Sequence, residues 1–107
     1  MKFDDITEPL VSVVIPVYNR EDTVGRAINS ILNQSYKNLE LIIVDDCSND
    51  NSLKVIREFR DERIRVVELK KNSGANAARN QGIMAARGQY VAFQDSDDEW
   101  DKHKLQL

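Results

Sequence analysis

Two kinds of apolar pattern alternate along the chain. Val11-Ser-Val-Val-Ile-Pro-Val17 is rich in β-branched residues and apolar on both faces, as a buried parallel strand should be. Val24, Ala27, Ile28, Ile31 and Leu32 then recur at i, i+3, i+4, i+7 and i+8, one face of an amphipathic helix. Glu21 or Asp22 stands where an acidic N-terminal cap belongs. A second apolar run, Leu39 to Val44, ends in Asp45 and Asp46, and the polar stretch Cys47 to Asn51 reads as a loop and cap. A second helix follows with Val55, Ile56 and Phe59 inward, and Ile64 to Leu69 is a shorter third strand with charged outward positions. After the loop Lys70 to Gly74, Ala75 to Arg87 is helical; its Ala78, Gly82, Ala85 and Ala86 permit close packing on a sheet, and Gly88 stops it. Tyr90 to Gln94 is the fourth strand, ended by Asp95-Ser96-Asp97-Asp98, and Asp101 to Leu107 reads as a further helix start.

The order βαβαβαβ, without internal repeats or a linker, predicts a Rossmann-like three-layer α/β/α fold. Its sheet is expected to be mainly parallel, in the order 3-2-1-4, with right-handed crossovers. In such a sheet the chain reverses direction between the first and fourth strands, and ligands sit there, outside the carboxyl ends of the strands. Tyr18-Asn19, Asp45-Asp46 and Asp95-Ser96-Asp97 are far apart in sequence, yet all three reach that edge.

Length and composition narrow the class. At 107 residues the chain is a single domain, and 41% hydrophobic with 31% charged is a globular composition, which excludes disorder. Fifteen Lys and Arg against 18 Asp and Glu leave no basic surplus to track a nucleic-acid backbone. The lone Cys47 cannot form an intrachain disulfide and reads as a small, partly buried thiol; no Cys/His cluster offers a zinc site. A reducing, cytoplasmic setting fits. The longest apolar run is far short of the ~20 residues that span a bilayer, and the polar extension 1–9 has no signal-peptide pattern. Any membrane association of a full-length protein is therefore expected outside these residues. The unpaired edge of strand four leaves oligomer formation open.

The chemistry is legible partly from what is absent. No G-x-G-x-x-G follows strand one and no G-x-x-x-x-G-K-[ST] occurs, so neither glycine cradle for phosphates is present. Instead the sheet edge gathers Asp45, Asp46, Asp50, Asp95, Asp97, Asp98 and Glu99. Asp50, Asp98 and Glu99 read as caps and solvated loop charges. Several carboxylates at one crevice repel one another and would repel a phosphate. A divalent cation, Mn²⁺ or Mg²⁺, resolves both conflicts, because it takes one or two carboxylates plus substrate phosphates. It would also neutralise charge on a departing diphosphate. Trp100 reads as a core lid, His103 as exposed and idle, Lys70-Lys71 as a solvated turn, and Asn80 and Gly82 as packing and capping elements.

From about Pro9 to Leu107 the chain resembles the N-terminal, donor-binding half of inverting family-2 glycosyltransferases with the GT-A fold. The matching motifs are Val11-Ser-Val-Val-Ile-Pro-Val-Tyr-Asn19, Ile28-x-Ser30-Ile31-Leu32-x-Gln34-Ser35-Tyr36, Glu40-Leu-Ile-Ile-Val-Asp-Asp46, Asn72-x-Gly74, Ala78-Arg79-Asn80-x-Gly82 and Gly88-x-Tyr90-Val-Ala-Phe-x-Asp95-Ser-Asp97-Asp98. The resemblance implies metal-dependent transfer of a sugar from a nucleotide-diphosphate sugar, UDP-linked, with inversion, in cell envelope polysaccharide biosynthesis. It implies that Pro16, Tyr18 and Asn19 line the nucleotide pocket, that Asp46 accepts a hydrogen bond from the base, and that Asn72 sits beside it. Arg79 would lie near the phosphates or brace the acidic loop. Asp95 would touch ribose or metal, Ser96 would lie with it in the donor site, and Asp97 would be the principal metal ligand. No residue of this chain is assigned a catalytic role: the general base, and the site for a glycan, lipid-linked or other acceptor, are expected beyond Leu107. Two other readings remain at this point, a non-catalytic nucleotide-binding module and a receiver-like signalling domain built on Asp45-Asp46.

Overall fold

The computed structural model describes residues 8–105. The polar extension therefore falls mostly outside the described residues, as do the last two residues of the expected C-terminal helix. Strands β1 (Val11–Val17), β2 (Leu39–Asp45), β3 (Ile64–Glu68) and β4 (Tyr90–Phe93) alternate with helices α1 (Val24–Leu32), α2 (Ser52–Arg57) and α3 (Ala75–Ala85). All pairings are parallel and the sheet order is β3-β2-β1-β4, the order expected from the sequence. The central strands are apolar on both faces because both faces are covered, and every residue of β2 is buried.

One face carries Val11, Val13, Ile15, Val17, Leu41 and Ile43 against Val24, Ile28 and Ile31 of α1 and Ile56 of α2. The other carries Val14, Ile42 and Val44 beneath Ala78, with Ala85 and Ala86 at its margin. This second layer is thin. A Cβ on Gly82 would stand 2.3 Å from Val14 Cγ1, so the small-residue face of α3 is what lets the helix lie close on β1.

Several boundaries differ from the sequence reading, each for a local reason. Neither Glu21 nor Asp22 caps α1: the helix begins at Val24 behind Thr23, with no acidic residue in its first turn. Just before α2, whose N-cap Asn51 makes no side-chain bond, Asp50 Oδ1 accepts the Ser52 N–H at 2.9 Å and Oδ2 accepts the Glu21 N–H at 3.2 Å. Burial pushes the Asp50 carboxyl up, but these bonds and one with the Ser52 hydroxyl outweigh it and hold the group below the usual carboxylate range. Phe59 lies past the end of α2, yet still packs on the first core. Helix α3 stops at Ala85 rather than Arg87, and Gly88 does not stop it. A Cβ there would meet Ser12 Oγ at 2.6 Å and Leu10 O at 2.7 Å, so this glycine serves a close approach to β1. Residues 101–105 form a turn, with no helix among the described residues.

At the amino end of the sheet, Glu40 is the buried hub. It accepts from Ser12 Oγ at 2.5 Å, the Arg87 N–H at 2.6 Å and Arg65 Nη1 at 3.2 Å, while Arg65 Nη1 also reaches the Ala85 carbonyl at 2.8 Å. Burial raises the Glu40 pKa, but these donors together win and its carboxyl lies below its ordinary value. The network ties β1, β2, β3 and the α3–β4 connection together at the end opposite the carboxylate cluster. No described helix is long and apolar enough to cross a membrane.

Candidate functional site

The carboxyl ends of β1, β2 and β4 open into a cavity of about 410 Å³. Pro16, Tyr18, Asp46, Asn72, Arg79, Asp95, Ser96 and Asp97 all line it. The last residue of β2, Asp45, and the next residue, Asp46, point to opposite sides and take separate tasks. Asp45 turns to Ser48, accepting its hydroxyl at 2.6 Å and its N–H at 3.2 Å. Asp46, 3% exposed, accepts the Ser73 N–H at 2.8 Å on one oxygen and the Gly74 N–H at 2.9 Å on the other. Asp46 thus holds the loop that leads into α3, and Gly74, with φ at 94°, supplies the left-handed turn that starts the helix. A carboxylate offers about four lone-pair directions, so two of those on Asp46 remain for a ligand.

Gly74 and Ala75 place the amino end of α3 on the cavity wall, where unpaired N–H groups and the helix dipole favour an anion. Arg79, one turn further along, donates from Nη1 to Asn76 Oδ1 at 3.1 Å, and its Nη2 lies 4.0 Å from Oδ1 of the exposed Asp95. Tyr18, 39% exposed, stands at the rim. Asp95 to Asp98 form a turn closed by the Asp98 N–H on the Asp95 carbonyl at 3.2 Å, which leaves the side chains of Asp95 and Asp97 outward and Ser96 buried between them. Gln94, at the root of this turn, is buried with neither amide atom paired among the described residues.

Asn19 is placed differently from its neighbours. It lies in an adjoining cleft with Asp50 and Thr23, and its side chain is engaged: Oδ1 accepts the Asn49 N–H at 2.7 Å, while its own N–H donates to Ser48 Oγ at 3.0 Å. Its φ of 52° is one that Asn tolerates better than most residues. Asp97 and Arg20 line both spaces. Arg20 was absent from the sequence-based set, although its position directly after Tyr18-Asn19 at a strand end was the available signal. Ala75 and Ala78 were also missed as wall residues, because small apolar side chains carry no chemical signature. Trp100 does pack on the first core. His103 is exposed, as expected, with Nδ1 3.0 Å from Ser35 Oγ. Cys47 is a half-buried free thiol whose Sγ lies 3.7 Å from the Lys70 carbonyl.

Known proteins share both the sequence and this architecture. TuaG of Bacillus subtilis, a glycosyltransferase named for teichuronic acid biosynthesis, is 50% identical over 101 residues, covering 92% of this chain and 40% of TuaG. The chain thus spans about two fifths of the length of that relative. The S. aureus TarS 1-349 structure in complex with UDP-GlcNAc superposes with a TM-score of 0.82 at 35% identity, over 86% of this chain and 28% of that one. The mannosyltransferase PcManGT from Pyrobaculum calidifontis, in complex with GDP-Man and Mn²⁺, gives 0.82 at 28% identity, over 87% and 29%. The sequence model of Glycosyl transferase family 2 matches residues 12–107. An acidic pair closing the second strand, a second Asp-rich turn closing the fourth and this match across the whole sheet leave no room for the receiver-like reading: the chain belongs to glycosyl transferase family 2.

Proposed function

We propose that this chain is the donor-binding part of a family-2 glycosyltransferase that takes a nucleoside-diphosphate sugar, UDP-linked, with Mn²⁺ or Mg²⁺. The observation that carries the reading is the convergence of Asp46, Arg79, Asp95, Asp97 and the amino end of α3 on one cavity. The UDP-GlcNAc complex of TarS and the Mn²⁺ complex of PcManGT support the donor and cation classes.

The donor set fits a hard cation. Asp95 and Asp97 are exposed oxygen donors lining the same cavity. Protein carboxylates would thus fill part of the coordination shell and diphosphate oxygens the rest, which is how Mg²⁺ and Mn²⁺ are commonly held. The bound cation supplies neutralisation of the charge that develops on the leaving diphosphate. Asp46 turns its free lone pairs to an N–H of the base, with Pro16, Tyr18 and Asn72 around it and Asn19 fixing the loop behind. An acceptor left unpaired there penalises a base that lacks the N–H. Arg79 orients Asp95 and offers a cation to the phosphates. The general base, the acceptor site and the inverting transfer itself are assigned to the part of the relatives' length that this chain does not cover. This chain alone is expected to bind donor without releasing sugar.

Calorimetry of UDP binding with Mn²⁺, Mg²⁺ or EDTA tests the reading. Binding is expected to need the metal, to be lost in its metal-dependent part by Asp97→Ala and to be kept by Asp98→Ala. Equal affinity in EDTA would remove the cation from the site, and the reverse pattern of the two variants would shift the ligand by one residue.

A further inference from the structure

The acidic turn carries the proposed cation ligands, yet the sheet barely holds it. β4 is four residues long and pairs with β1 alone; its last tie is the Gln94 N–H on the Val14 carbonyl at 3.0 Å. The firm attachments come from α1. At the amino end of that helix, Thr23 Oγ1 donates to the Ser96 carbonyl at 2.9 Å rather than capping its own helix. Ser96 is 8% exposed while Asp95 and Asp97 on either side are outward, so the pin sits between the two carboxylates. Just past the carboxyl end, Gln34 is fully buried. Its Nε2 donates to the Ser30 carbonyl at 3.2 Å and the Asp101 carbonyl at 2.5 Å, and its Oε1 accepts the Leu105 N–H at 3.0 Å. The Ser35 N–H adds a bond to the Lys102 carbonyl at 2.9 Å. Trp100 and Leu105 pack on the core that includes Ile28 and Ile31.

We infer that α1 is a strut that sets the position of the acidic turn, with Thr23 and Gln34 as positioning residues for the carboxylates of Asp95 and Asp97. The inference rests on the donor-site reading for its functional meaning. The segment 96–105 is slung between the two ends of a nine-residue helix, a span of about 14 Å at 1.5 Å per residue. A helix packed on the sheet is rigid where an edge strand and an exposed turn are not. The spacing between the turn and the Asp46 side of the cavity therefore follows from how α1 seats on β1.

Amide hydrogen exchange at Asp98, whose N–H closes the turn on the Asp95 carbonyl, with UDP calorimetry in Mn²⁺ and in EDTA, tests the strut in this chain. Thr23→Val and Gln34→Leu are expected to speed exchange in the turn and to weaken Mn²⁺-dependent UDP binding about fivefold for each hydrogen bond lost. Thr23→Ser, which keeps the hydroxyl, should restore both. Should Gln34→Leu fail to fold, the near-isosteric Thr23→Val carries the test by itself. Unchanged exchange in a folded Thr23→Val chain overturns the strut, whatever the nucleotide does. Wild-type binding that ignores Mn²⁺ removes the cation from the site, and absent UDP binding overturns the donor-site reading; in either case the exchange rates decide the strut independently: faster in Thr23→Val upholds it, equal sinks it.

Discussion

Asp46→Asn separates two roles that one carboxylate could have. A group that only recognises a base would, when neutralised, weaken nucleotide binding and leave the empty protein as stable as before. Asp46 also holds Ser73 and Gly74 through their N–H groups, one on each oxygen, at 2.8 and 2.9 Å in a site that is almost fully buried. Hydrogen bonds to a charged acceptor contribute roughly 1.5–3 kcal/mol each. Asparagine keeps an acceptor for one N–H and turns its own NH₂ against the other, which loses one bond, weakens the second and leaves a donor facing a donor. The ligand-free chain should therefore lose about 2–3 kcal/mol. Urea denaturation without nucleotide reads this directly, and calorimetry with UDP reads the binding loss beside it. A stability change below about 0.5 kcal/mol, within the range of ordinary surface substitutions, would refute the loop-holding role. Asp46 would then be a ligand contact only.

The other predictions concern the scaffold. Glu40 has a folded pKa below its unfolded value, so its contribution is present above the unfolded value and lost as pH falls through the folded one. Glu40→Gln should cost about 2 kcal/mol at pH 7, and the gap to wild type should narrow as pH falls below the ordinary Glu value of about 4.3 and through the lower folded one, measured by denaturation across pH. A gap equal at pH 7 and at acid pH would mean that charge is irrelevant there. Gly82→Ala gains helix propensity but drives a methyl to 2.3 Å from Val14 Cγ1. Overpacking of this kind costs about 1–3 kcal/mol, so a lower melting temperature is expected and a raised one would show that α3 can lift off the sheet.

Strand order was readable because doubly apolar runs and a 3.6-residue period leave few alternatives, and β2 is buried along its entire length for that reason. Most of the cavity wall was readable too, since it lies at strand ends that the topology brings together. What the sequence hid were partners chosen by three-dimensional proximity. Acidic residues just before a helix look like its caps, yet Glu21 offers only its N–H, and it does so to Asp50 of another loop. Gly88 looks like a helix stop, but its neighbour in space is Ser12. Gln34 and Tyr36 stand in a motif of the resemblance, but the motif does not say what they bond. Only the coordinates show Gln34 bonded across to Asp101 and Leu105, and the Tyr36 hydroxyl donating to the Pro9 carbonyl.

The outer side of β4 bears on how this polypeptide behaves in a tube. Tyr90, Val91 and Phe93 are more than a third exposed, and Ile83 and Met84 of α3 are exposed apolar side chains as well. Such a rim is a template for a foreign strand, so concentrated samples should cluster through it. A lysine in place of Val91 would act as a gatekeeper, keeping the molecules apart at the concentrations that calorimetry requires.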